Sequence, residues 1–300
     1  MTGTVAPIDA GRGRGTRPTA RPDEDSLRAG ARRLLTAFAL LTALATHQLL
    51  VQGGQTDRHW AWTIQARPTA AFLGAAYAAG FVLSVLSLRQ RSWERVRVAV
   101  GTVTAFTVLT LAATYWHAHR LHLTAADPGA RAAAWVWVAV YLTVPVCGVV
   151  VLVRQRGSRV PGAARRTMPV WLRWVLAAQG VALGSVGAVL FGLGLTLHHG
   201  THPMAAFWPW PLTPLSAQVV GAWLIALGVG AGLVIRERDL GRLRVPAIAY
   251  AAFGAFQWAV VLRYQDEMRG GPVLWAYGAL LTVVVATGAH GWWAVRRRPA

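Results

Sequence analysis

Two short runs concentrate the side chains best suited to chemistry. "YWHAHRLH" carries His117, His119 and His122, and "LHHGTH" carries His198, His199 and His202. Neutral imidazoles at this density could hold Zn or Cu, and could titrate in a mildly acidic exterior. On a continued helix His119 and His122 would share a face, as would His198 and His202, but Gly200 and Pro203 argue against helix through the second pair. No HExxH motif and no Cys-based ligand set accompanies them. The lone Cys147 can form no intrachain disulfide and reads as a buried, inert thiol. The plainer reading of the histidines is polar residues at a membrane boundary.

A second constellation suits binding. "WTIQARPTAAFLGAAYAAG" and "WPWPLTPLSAQVVGAWLIALG" each lead from tryptophan through proline to a hydroxyl residue, an alanine, a glycine and a long apolar run. Trp60, Trp62, Trp208 and Trp210 in and beside these stretches, with Gln218, are the candidate ligand-binding residues. Thr69 after Pro68 and Thr213 before Pro214 suit the start of a helix, as cap and first-turn proline. Acidic residues inform by position. None of the eleven Asp and Glu falls deep in an apolar run, which argues against a pump with a mid-membrane carboxylate. Asp266 and Glu267 are placed to pair with Arg263 and Arg269. Walker, Ser-His-Asp and dinucleotide patterns are missing from the sequence, which favours a non-enzymatic role.

The elements that must position these residues are membrane helices. The 300 residues are 55% hydrophobic and 14% charged, where soluble chains carry about a quarter charged residues. Mean hydropathy is +0.41. Eight apolar runs, at 34–51, 69–88, 98–116, 132–153, 174–197, 215–235, 245–262 and 273–294, each approach the ~20 residues that span a bilayer. They are apolar on every face, so they read as helices and not barrel strands. All thirty basic residues are Arg. Twenty-four lie in the tails and even-numbered connections and six in the others, at Arg58, Arg67, Arg120, Arg131, Arg263 and Arg269. That asymmetry places both termini in the cytoplasm of an inner (cytoplasmic) membrane, and assigns the arginines to anionic headgroups and not to nucleic acid. Trp60, Trp62, Trp208, Trp210 and Trp275 then map to the outer headgroup level, and Trp93, Trp171, Trp174, Trp292 and Trp293 to the inner one. All the histidines except His290 fall on the outer side.

Shifting the chain by 147 positions superposes Ala70, Gly74, Ala75 and Ala79 on Ala217, Gly221, Ala222 and Ala226. The same shift carries Arg89, Arg91, Arg95 and Arg97 onto Arg236, Arg238, Arg242 and Arg244. Four helices per unit is an even number, so the expected fold is all-α integral membrane, eight transmembrane helices as two parallel four-helix repeats. The expected organisation is a disordered Arg-rich tail over 1–30, a first repeat over 31–153, a linker over 154–170, a second repeat over 171–295 and a tail over 296–300. Arg32, Arg33 and the A-x-A of Ala43 and Ala45 resemble a signal peptide, but the counterpart helix later in the chain favours a retained span. Gly180 with Gly184, Gly228 with Gly232, and Gly74 with Ala78 make small-residue steps expected at intramolecular helix contacts.

Set side by side, the two tryptophan-led stretches resemble those of a group of uncharacterised multi-pass membrane proteins from GC-rich actinobacteria. The likeness covers about half the chain and implies a membrane protein, with no activity. In architecture alone, two four-helix units in this length look like haem A synthase, whose haem ligands are helix histidines. Here the second, fourth and sixth runs contain no histidine, so haem fits poorly. The expectation is a polytopic protein that binds a small or lipidic ligand, or a membrane-protein partner, through an outward-facing Trp/His-rich vestibule between its halves. A Zn-, Cu- or haem-dependent outer-face enzyme and a facilitative transporter or channel are the alternatives.

Overall fold

The computed structural model describes residues 27, 29–155, 167–196 and 208–296. These form eight helices long and apolar enough to cross a membrane: α1 Ala29–Leu50, α2 Arg67–Leu88, α3 Arg97–Trp116, α4 Pro128–Arg154, α5 Val170–Thr196, α6 Pro214–Glu237, α7 Arg244–Arg263 and α8 Pro272–Arg296. Each covers one of the charge-poor runs of the sequence. Most of the expected tail and linker lies outside the described residues.

Helix starts have local causes. Pro128 and Pro214 open α4 and α6 behind Asp127 and Thr213, whose side chains accept from the amides of Ala130 at 2.8 Å and Ser216 at 3.4 Å. Thr69 departs from the capping expectation. Ala66 is the cap of α2 and Thr69 lies inside its first turn, where the hydroxyl accepts the Trp210 indole N–H at 2.9 Å. A buried indole needs an acceptor, and this one takes it from the other half of the chain.

Along the chain α1 packs on α2, α3 on α4, α5 on α6 and α7 on α8, while α2 against α7 and α3 against α6 join the two sets of four. This pattern is unchanged when α1–α4 are exchanged with α5–α8. The α5–α6 pair approaches along a seam that steps by seven residues: Gly180 faces Gly228, Gly187 faces Gly221 and Gly194 faces Pro214. A Cβ on Gly187 would stand 2.8 Å from the Gly221 carbonyl oxygen, so only glycine permits this spacing. The expected four-residue steps hold only in part. A Cβ on Gly184 or Gly232 would meet nothing within 4 Å.

At the arginine-rich end, the Leu27 amide donates to the Arg91 carbonyl at 3.0 Å. The α2–α3 and α6–α7 connections meet there in a buried ion cluster. Arg242 reaches Glu94 at 2.5 Å, Glu237 at 3.0 Å and Asp239 at 3.2 Å, and Arg97 forks onto Glu237. Two further expectations are corrected. Cys147 is exposed on the outer face of α4 and not buried, because that face of α4 has no neighbouring helix. Glu267 pairs with Arg67 of α2 at 2.9 Å, because the end of α2 lies closer than its own sequence neighbours.

Candidate functional site

The chain between α1 and α2 folds back over the bundle. The Ile64 amide donates to the Thr56 hydroxyl at 2.9 Å, and the His122 amide to the Ala61 carbonyl at 2.9 Å. The His122 ring lies with Nδ1 3.0 Å from the Trp60 carbonyl and Nε2 3.0 Å from the Thr63 hydroxyl. The carbonyl makes Nδ1 the donor, and in the neutral ring Nε2 accepts from the hydroxyl. Trp60 and Trp62 are turned inward by this clasp and are 5% and 3% exposed. Like Trp93, Trp208 and Trp210, which are also buried, they do not turn their rings outward as interface anchors would. Loops that close back on the bundle bury the rings that a linear reading puts at the interface. Trp171, Trp174, Trp275 and Trp293 are exposed, as anchors would be.

Two aromatic clusters result. In the first, Trp60, Trp62, Tyr77, Phe106, Trp137, Tyr141 and Trp223 meet edge to face or tilted, except for Phe106 and Trp223, which stack at 4.0 Å. In the second, Trp208 and Trp210 pack on Phe72 and Tyr277. Gln257 lies fully buried beside it, donates to the Phe72 carbonyl at 3.0 Å and accepts the Tyr277 hydroxyl at 3.3 Å.

The first cluster borders a cavity of about 430 Å³, within the ~300–1,000 Å³ range of small-molecule sites. It runs from His59 and Trp60 at the loop end, past Tyr77 and Tyr141, to Leu172 and Leu243 near the arginine-rich end. Leu44 of α1 and Val136 of α4 line it while half exposed outside, which marks a side opening between these helices. Among the described residues no Arg, Asp or Glu lines it. The hydroxyls of Tyr77 and Tyr141 meet at 2.8 Å in its wall, each ring at least 94% buried.

Among the expected binding residues, Trp60 lines the cavity, whereas Trp62, Trp208 and Trp210 are packing residues behind it or in the second cluster. Gln218 is fully buried and donates to the Phe191 carbonyl at 3.4 Å. Among the expected metal ligands, His117 bonds the Gly194 carbonyl through Nε2 at 3.2 Å and stands 6.0 Å, ring to ring, from His119. His119 accepts from Arg120 at 3.2 Å, and His122 belongs to the loop clasp. His198, His199 and His202 lie outside the described residues. Among the described residues no three of His, Cys, Asp and Glu gather as a metal would require. Sequence reasoning did not single out the Tyr77–Tyr141 pair or Trp223 as one site. Their residue types alone carried no sign that α2, α4 and α6 converge. No family model, curated protein or solved structure matches the chain.

Proposed function

We propose that this is a cytoplasmic-membrane protein built as two parallel four-helix repeats, and that it takes an apolar, lipid-like ligand into the cavity that both repeats line. The exchange-invariant packing of α1–α4 and α5–α8 supports the duplication, as does the 147-residue shift. The arginine excess at one end supports cytoplasmic termini. One observation carries the ligand reading: a cavity of about 430 Å³ with no Arg, Asp or Glu among its described lining residues, whose wall includes Leu44 of α1 and Val136 of α4, both half exposed on the face that lipid would cover. A ligand can then enter from the bilayer without crossing water. The second aromatic cluster is filled by Gln257 and its bonds to Phe72 and Tyr277.

Gly80 supplies the test. It lines the cavity, and a Cβ there would stand 3.4 Å from the Thr42 methyl, an ordinary contact. Gly80→Leu should therefore fold and fill the space. Native mass spectrometry after detergent exchange should find a retained lipid on the wild type and a several-fold smaller amount on the variant. Equal retention by both, or none by the wild type, overturns the reading.

A further inference from the structure

The donors around this cavity describe the head of its ligand. Tyr77 and Tyr141 hold two hydroxyl protons between them, yet the single bond at 2.8 Å uses one. The other O–H, on a side chain more than nine-tenths buried, meets no protein acceptor among the described residues. The indole N–H groups of Trp60 and Trp223, both in the cavity wall, likewise meet none. Tyr77 connects them, with ring centroids 6.1 Å from Trp60 and 5.4 Å from Trp223. One free O–H thus stands in the wall of an apolar space, with two unpaired indole N–H groups packed behind the same wall. The hydroxyls of Thr42, Ser84 and Thr102 in the same wall already donate to carbonyls of their own helices.

A buried donor without an acceptor is costly, whereas the spare lone pair of a hydroxyl already bonded is not. The imbalance calls for a ligand that supplies acceptors. It weighs against a charged head, because a phosphate or carboxylate would be desolvated here with no arginine among the described lining residues and His59 alone at the loop end to meet it. We propose that the ligand is an uncharged chain lipid with a carbonyl-bearing head, held by the Tyr77–Tyr141 pair beside the rings of Trp60 and Trp223, its chain leaving between α1 and α4. The proposal rests on the cavity being a ligand site. Prenyl-type quinones and neutral acylglycerols share this chemistry, and a flat quinone ring would also stack beside Phe106 and Trp223.

The test uses full-length protein in detergent with three probes: a decyl-substituted benzoquinone, dioctanoylglycerol and dodecylbenzene, which has a chain and no carbonyl. At least one carbonyl probe should bind about tenfold more tightly than dodecylbenzene, as one or two hydrogen bonds allow. The tighter of the two names the source. In the double variant Tyr77→Phe, Tyr141→Phe that preference should fall below about threefold with dodecylbenzene binding unchanged. The infrared carbonyl stretch of the bound probe should lose its downshift. The single variants Tyr77→Phe and Tyr141→Phe, which each keep a ring and drop one hydroxyl, provide the same comparison if the double variant does not fold. Equal binding of all three probes by the wild type, or a preference and downshift untouched by the variants, overturns this proposal and leaves the cavity reading standing. Binding of none overturns both.

Discussion

Both ring nitrogens of His122 are committed to the loop that precedes α2, one to the Trp60 carbonyl and one to the Thr63 hydroxyl. That loop sets Trp60 at the mouth of the cavity, so the residue acts on the site through positioning. His122→Ala should cost about 2 kcal/mol, two net hydrogen bonds, read as a lower unfolding temperature in detergent. Trp60 emission should shift toward that of an exposed indole. If added Zn instead stabilises the wild type and not the variant, His122 is a ligand after all. The histidine-rich spacing was plain in the sequence, and so was its placement near helix ends. What each ring bonds to was not, because the partners Trp60 and Gly194 lie 62 and 77 residues away.

At the scale of helices, the spans were legible because a charge-free length has a direct physical meaning in a bilayer, and Thr213–Pro214 was legible because capping is local. The α5–α6 seam was not. A glycine's neighbours at four residues are visible along one chain, but close approach depends on the partner helix and on which face it presents. The structure separates two glycines that the sequence treats alike. Gly187→Ala drives a Cβ to 2.8 Å from backbone on α6, where no side chain can yield, so the helices must part. A loss of about 3 kcal/mol or more should follow. Gly184→Ala, with nothing within 4 Å of its Cβ, should change stability by less than about 1 kcal/mol. Thermal unfolding of the two variants side by side checks the contrast; equal losses would mean that the seam is misplaced.

Across the whole molecule, the two halves are tied by ion pairs at both ends, and burial decides what each is worth. Arg67 and Glu267 meet at 2.9 Å, but the Arg67 side chain is 68% exposed, so water already stabilises both charges. Arg67→Ala should cost at most about 1 kcal/mol. At the arginine-rich end Arg242 is 11% exposed and is the shared counter-charge of Glu94, Glu237 and Asp239, drawn from both connections. Its removal leaves three carboxylates close together, with Arg97 still engaged on Glu237. Arg242→Ala should therefore destabilise by about 3–5 kcal/mol. Hydrogen exchange should rise together in 89–97 and 237–244, since each connection is held by the other. Faster exchange in 237–244 alone would show that the cluster serves one half locally and that α2–α7 and α3–α6 packing suffices to join the halves.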